Sequence, residues 1–543
     1  MIKKMFLLLF VCIEFKFIAC SSCGTNQLKI TPHALDIGDI QRRKLTDEYS
    51  PINIKVDMTY LKSQNMLNDD KITNLEEIFE EVTYYFNKIL SIEKLSISIN
   101  LSEHIKQYCS ISKFNLIDNN FDLLILPYIS DDLNENTLAA GAPCLTLQNN
   151  KPLVGIVKIN KNLSSEKEKY NYYMKNLLFH EISHVLAFHP YFFTNLNLIF
   201  TKTINGQQYT YINSPKVLEQ AKIHFGCDDL KGIQLENDGG EGTAGSHWDS
   251  RYMLGDYMIA SDYSDIVLSD ISLALFEDTG FYKVNKYTGG LFRFGKNQGC
   301  SFFEKKCLYN QGKNTMFTND FCIEKDQSFC SSSHISKGHC YITKYSSIEE
   351  RFRYFGDKYT GGLSYSDYCP VSYTSTSDNN YYFPNNCRNG IKVNEGEIIG
   401  EDSLCFETSI NNSGMKTVCY KMECDTDSKK INIYIGNSII TCPGNETVLY
   451  NPNGLKGEIN CPNYNLVCTS QVFCNDIFDC IDKRSEADFS TYDYFSNKLE
   501  LQNRDKANLL IDDTIVFLKE EKSSIISLNL NLIILLLMLL INF

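Results

Sequence analysis

The distribution of cysteine constrains this chain more than any other feature. Only Cys109, Cys144 and Cys227 fall between residues 50 and 299, whereas fifteen cysteines lie between Cys300 and Cys480. Twenty-one cysteines in one chain would be a hazard in a reducing cytosol, so an oxidising compartment with disulfides is expected. The first stretch must then stand on a packed apolar core, while the second needs covalent staples. At 543 residues, with 43% of them apolar, the chain exceeds what one hydrophobic core usually serves, and two or more folded units are expected.

Both ends carry signs of export. Lys3 and Lys4 precede the apolar run Met5 to Cys12, which reads as a signal peptide over residues 1–20. Phe17-Ile18-Ala19-Cys20 also resembles a bacterial lipid-attachment box, against which the apolar C-terminal tail speaks. Arg42-Arg43-Lys44 offers a cleavage point for a pro-segment over residues 21–49. The uninterrupted part of the apolar tail, Leu532 to Ile541, is about half of the ~20 residues a spanning helix needs. Behind a polar stretch, such a tail fits a GPI-attachment signal, with a membrane anchor as the alternative. The expected destination is the secretory pathway and then the cell surface or extracellular space, with membrane attachment through the tail. A net charge of −14 excludes nucleic acid as the main partner, because Lys and Arg are needed to displace its counterions. Sequons at Asn100, Asn162, Asn411 and Asn445 are compatible with glycosylation.

Periodicity places secondary structure in the cysteine-poor half. Ile52 to Met58 alternates like a strand, and Asn74 to Ile92 carries apolar residues at helical spacing. Strand-like runs follow at Leu95 to Asn100, Phe121 to Ile129 and Leu153 to Ile159, leading into a helix from about Ser165 to Phe188. This order predicts an α+β unit with a mixed sheet.

The predicted helix contains His180-Glu181-Ile182-Ser183-His184. Positions i and i+4 project from one helical face, so both imidazoles can reach one Zn²⁺ while Glu181 addresses a metal-bound water. A catalytic zinc site needs a third protein ligand and an open fourth position. Three kinds of residue compete for that role. His189 follows closely but is one residue out of the compact HExxHxxGxxH register, in which this chain has Ala187 and Pro190. Glu219 and Glu236, the nearest downstream glutamates, offer an acidic ligand but sit in no obvious motif. His247 sits in the glycine-rich segment Gly239 to Trp248, whose glycines permit the sharp turns that bring a chain back to a helix face. Eleven residues later Met258 could form an apolar floor beneath the metal.

These segments resemble the leishmanolysin family of surface metalloproteases, metzincins with a long insertion between the second and third zinc histidines. The resemblance rests on the pentad 180–184, on Gly245-Ser246-His247-Trp248 and on Leu254-Gly255-Asp256-Tyr257-Met258. It continues through Phe294 to Cys300, Tyr354 to Asp357 and Asp367 to Pro370, and so covers roughly residues 50–480. The fold it implies is α+β: a metzincin-like catalytic unit with a mixed sheet, an active-site helix and a Met-turn subdomain, then a disulfide-rich, mostly β/loop C-terminal domain. The corresponding parts are residues 50–188, 189–299 and 300–485, followed by a polar linker over 486–524 and the tail at 525–543.

The resemblance also implies a zinc metalloendopeptidase acting on protein or peptide substrates. It assigns one zinc ion to His180, His184 and His247, makes Glu181 the general base, makes Met258 the Met-turn methionine, and pairs Cys109 with Cys144 and Cys227 with Cys300. Cys23 is the implied zymogen thiol, with Cys20 as the alternate. Two departures stand out. Ala187 replaces the usual helix-ending glycine, at a cost of about 1 kcal/mol if that position is left-handed, and Phe294 stands where tryptophan is common. The rival function is a catalytically silent surface adhesion or binding protein that keeps the protease fold.

Overall fold

A computed structural model of the chain describes most of residues 28–485. Residues 1–27 and 486–543 lie outside the description, as do short stretches such as 36–40, 162–166, 238–242, 286–291, 391–395 and 469–475. The expected signal peptide, linker, tail and Cys23 therefore fall outside it. Among the described residues, no helix is long and apolar enough to cross a membrane.

The chain folds as α+β around a five-stranded mixed sheet. Its strands are β1 (His33–Ala34), β2 (Ile54–Val56), β3 (Leu123–Ser130), β4 (Ala139–Thr146) and β5 (Pro152–Asn160), arranged in the order β1-β4-β5-β3-β2. The β4/β5 pair is antiparallel and the other pairs are parallel. β4, with sequence AAGAPCLT, is buried throughout and was not expected from the sequence, because it neither alternates nor carries β-branched residues before its last position. Its Pro143 coincides with a register irregularity, the position at which a sheet tolerates a missing N–H.

Helix α1 (Asp69–Ile89) begins five residues before the predicted start. Its first turn is polar and carries no periodic signal. It is held instead by the Asn68 side chain, which accepts from the Lys71 N–H at 3.0 Å, and by Asp69 and Asp70 at the positive end of the helix dipole. Ile72, Leu75, Phe79, Val82 and Phe86 then form its buried stripe. Helix α2 (Lys167–Leu186) lies between α1 and the sheet. Phe86 stacks on Phe179 at 4.5 Å between ring centroids.

Two glycines let α2 approach the sheet closely. A Cβ on Gly141 of β4 would stand 2.1 Å from the Glu181 backbone oxygen, and one on Gly155 of β5 would stand 2.2 Å from Val185 Cγ1. Neither glycine has a positive φ, so what matters here is the absent side chain rather than backbone freedom.

Beyond α2 the chain forms a short helix (Pro190–Asn195), a hairpin (Ile199–Ile204 with Gln207–Ile212) and a helix (Pro215–Phe225), and returns through His247 and Met258 to helix α3 (Asp270–Asp278). Asp278 closes this excursion by accepting from the Lys216 and Val217 N–H groups at 2.9–3.0 Å. The expected Cys109–Cys144 and Cys227–Cys300 disulfides are present.

The C-terminal half is built around a six-stranded antiparallel sheet, from Ser403–Thr408 to Glu458–Cys461. This sheet has an apolar core of its own, including Phe406, Tyr420, Ile431 and Ile433, so the disulfides supplement packing rather than replace it. Contacts to the first half are specific. Asp265 accepts hydrogen bonds from the hydroxyls of Ser333, at 2.6 Å, and Ser336, and the Tyr263 hydroxyl donates to the Ser372 carbonyl. Helix α4 (Ile477–Ser485) then packs against α1 and α2. Its Phe478 ring lies 4.7 Å from Tyr85, 5.6 Å from Phe179 and 4.4 Å from the Lys175 ammonium, and Asp482 pairs with Lys88 at 2.6 Å.

Candidate metal centre

The pentad 180–184 occupies the last two turns of α2, where the sheet and the following subdomain bury it. His180 and His184 share one face, as i,i+4 spacing requires. The third imidazole arrives from the glycine-rich segment. Gly245 adopts φ 81°, a conformation open to glycine. The chain then runs beside residues 234–236: the Gly245 N–H donates to the Glu236 carbonyl at 2.8 Å and the Glu236 N–H to the His247 carbonyl at 2.9 Å.

The three Nε2 atoms stand 3.1, 3.1 and 3.2 Å apart, and among the described residues these histidines form the group able to hold a metal ion. Each Nδ1 has a backbone carbonyl as partner: Tyr257 at 2.8 Å for His180, Phe188 at 2.5 Å for His184 and Thr243 at 2.9 Å for His247. A carbonyl only accepts, so each Nδ1 carries its hydrogen and each Nε2 turns a lone pair inward. Burial keeps all three rings neutral. It pushes the pKa of His180 down to about 4 and that of His247 down to about 3, and it lowers that of His184 as well.

Three converging lone pairs without a proton between them repel one another, so the short separations cannot be mutual hydrogen bonds. A cation at their centre removes the conflict. Tetrahedral bonds of about 2.0–2.1 Å put ligand atoms roughly 3.3 Å apart, close to the spacing found. Neutral imidazoles of this kind suit zinc and other first-row divalent ions. The residues therefore fit a zinc ion with three protein ligands.

The surroundings of the site are buried. Glu181 is fully buried on α2. Met258, also fully buried, lies in a turn that begins after Gly255, at φ 94°. The turn reaches α2 through Tyr257: its carbonyl accepts from His180, and its hydroxyl lies 2.9 Å from Ser183 Oγ. Ser183 donates onward to the Phe179 carbonyl.

The competing ligands named from the sequence do not converge on this point. His189 is buried, and its Nδ1 caps the helix Pro190–Asn195 by accepting from the Tyr191 N–H. Glu219 is exposed and pairs with Lys216. Glu236 is buried, and its backbone holds the His247 segment. Ala187 does not have a positive φ, so the expected left-handed strain does not arise. Sequence reasoning missed the Nδ1 acceptors, which are backbone carbonyls and leave no trace in residue type, and it gave no role to Ser183, Asp256 or the Tyr257 hydroxyl.

The family model for leishmanolysin matches residues 107–474, more than half of the chain. A leishmanolysin homolog from Crithidia fasciculata is 30% identical over 376 residues, covering 64% of this chain and 55% of that protein. Leishmanolysin from Leishmania major is 25% identical over 362 residues, covering 62% and 58% respectively. A leishmanolysin-like peptidase from Drosophila melanogaster is 28% identical over 302 residues, covering 48% and 44%. The chain thus spans rather more than half the length of the first two relatives and less than half of the third.

Proposed function

The chain belongs to the leishmanolysin family, and on that premise we propose that it is a zinc metalloendopeptidase that cleaves proteins or peptides at the cell surface or outside the cell. The observation that carries this reading is the convergence of three neutral imidazoles, each with its outer nitrogen held by a backbone carbonyl. His180, His184 and His247 would hold one zinc ion, which when bound supplies Lewis acidity for the scissile carbonyl and lowers the pKa of a bound water.

The chain's own groups do the rest. Glu181 takes the proton from the attacking water and returns it to the leaving amine. The three carbonyl partners fix each imidazole in the tautomer that leaves Nε2 free. Met258 supplies the apolar floor. The Cys23 thiol holds the uncleaved precursor inactive, and the apolar tail attaches the protein to the membrane by a GPI or direct anchor.

Casein and gelatin hydrolysis by pro-segment-free protein tests the reading. Glu181→Gln should keep zinc and lose activity by about 10²–10⁴-fold, the range for a general base. His247→Ala should weaken both. A zinc-loaded wild-type protein inert toward both substrates would overturn the peptidase reading and leave a binding protein with a protease fold.

A further inference from the structure

We propose that Asp256 is a positioning residue that sets two of the three imidazoles at once, and so determines how tightly zinc is held. The inference rests on the metallopeptidase reading above. Asp256 is fully buried, where an ionisable carboxyl is costly unless donors surround it. One carboxylate oxygen accepts from the Met258 N–H at 2.8 Å, and the other accepts from the Ser272 hydroxyl at 2.8 Å. Ser272 lies in the first turn of α3. The Ser272 oxygen in turn accepts from the Trp248 indole N–H at 2.8 Å.

This chain of bonds ties three segments together. Trp248 follows His247 directly, and its backbone N–H donates to the Met258 carbonyl at 3.0 Å. Met258 follows Tyr257, whose carbonyl holds His180 Nδ1 and whose hydroxyl meets Ser183 on α2. Asp256 is therefore linked to His180 through the turn it begins and to His247 through the indole beside it. His184 is held separately, by the Phe188 carbonyl two residues past the end of its own helix. Partners beyond the ligands themselves orient metal-binding imidazoles, and losing one costs metal affinity rather than the fold alone.

The test is zinc affinity of the full chain, measured by competition with a chromogenic chelator, alongside the melting temperature of the zinc-free protein. Asp256→Asn keeps the shape and volume but replaces one acceptor with a donor that cannot take the Met258 or Ser272 hydrogen. It should weaken zinc binding by about 10–100-fold. Ser272→Ala, which removes both the donor to Asp256 and the acceptor of the indole N–H but leaves the Met258 link, should weaken it by roughly 10-fold, and Ser272→Thr, which restores the hydroxyl, should recover most of the loss.

A purely structural role would lower the zinc-free melting temperature while leaving affinity within about threefold of the parent, and that result overturns the proposal. Should Asp256→Asn fail to fold, the Ser272 pair decides by the same thresholds. If wild-type protein does not compete for zinc at all, the metallopeptidase reading fails first, and the two failures are distinguishable.

Discussion

Replacing Gly141 by alanine would test how finely the approach of α2 to the sheet sets the site. The added Cβ would stand 2.1 Å from the Glu181 backbone oxygen, whereas a carbon and an oxygen need roughly 3.2 Å, so about 1 Å must be found. Both atoms belong to backbone. Gly141 is paired to Val157 in the sheet, and α2 is already in contact through Gly155 and Val185, so the helix has to lift at Glu181, between the two histidines. A misplacement of about 1 Å can cost roughly 10²-fold in rate, equivalent to about 2.7 kcal/mol of barrier. Overpacking of this kind destabilises by about 1–3 kcal/mol. The assay pairs kcat/KM on a casein-derived peptide with zinc affinity and a denaturant midpoint. Gly400→Ala is the control, because nothing lies within 4 Å of a Cβ there. If Gly141→Ala retained activity and zinc affinity within about threefold, the close contact would not set the site, and the reasoning from misplacement would be refuted.

Three further outcomes are expected. The buried His189 has its pKa lowered to about 4 from 6.5 by desolvation. The unfolded chain therefore binds a proton there first: stability is full above pH 6.5 and is lost as pH falls toward 4, by roughly 3 kcal/mol in all. His189→Asn keeps a capping acceptor and should flatten that window by about one proton in denaturation curves taken across it; an unchanged slope would argue against the buried neutral form. Phe478→Ala removes a fully enclosed ring and should cost about 3–5 kcal/mol in chemical denaturation, with less than 1 kcal/mol showing that α4 is not seated. Chelation should lower the melting temperature, and zinc at about a thousand times its Kd should restore about 4 kcal/mol; no shift would mean that no ion is held.

The helix that carries the pentad was legible because i,i+4 histidines in an apolar run constrain structure and chemistry together. From residue types alone His247 was one of three alternatives, and the family resemblance singled it out; in the fold, the pairing of residues 234–236 with its own segment brings it to the helix. β4 escaped notice because Ala, Gly and Pro carry no strand signal, although those small residues are what allow α2 to lie so close. The start of α1 was misplaced because capping, not periodicity, determines it. The strain anticipated at Ala187 depended on a backbone conformation that the residue does not adopt. The seating of α4 was also missed: Phe478 and Ile481 read as the end of the cysteine-rich part, while their partners Tyr85 and Phe179 lie hundreds of residues earlier.

That late partner bears on how the molecule is made. A chain leaving the ribosome presents α1 and α2 early, and Phe86 then has Phe179 to stack on, yet Tyr85 and Phe179 are also covered by Phe478, which emerges only after the C-terminal sheet. The first half therefore completes this packing only after the final helix has been made, and until then Tyr85 and Phe179 lack the ring that covers them.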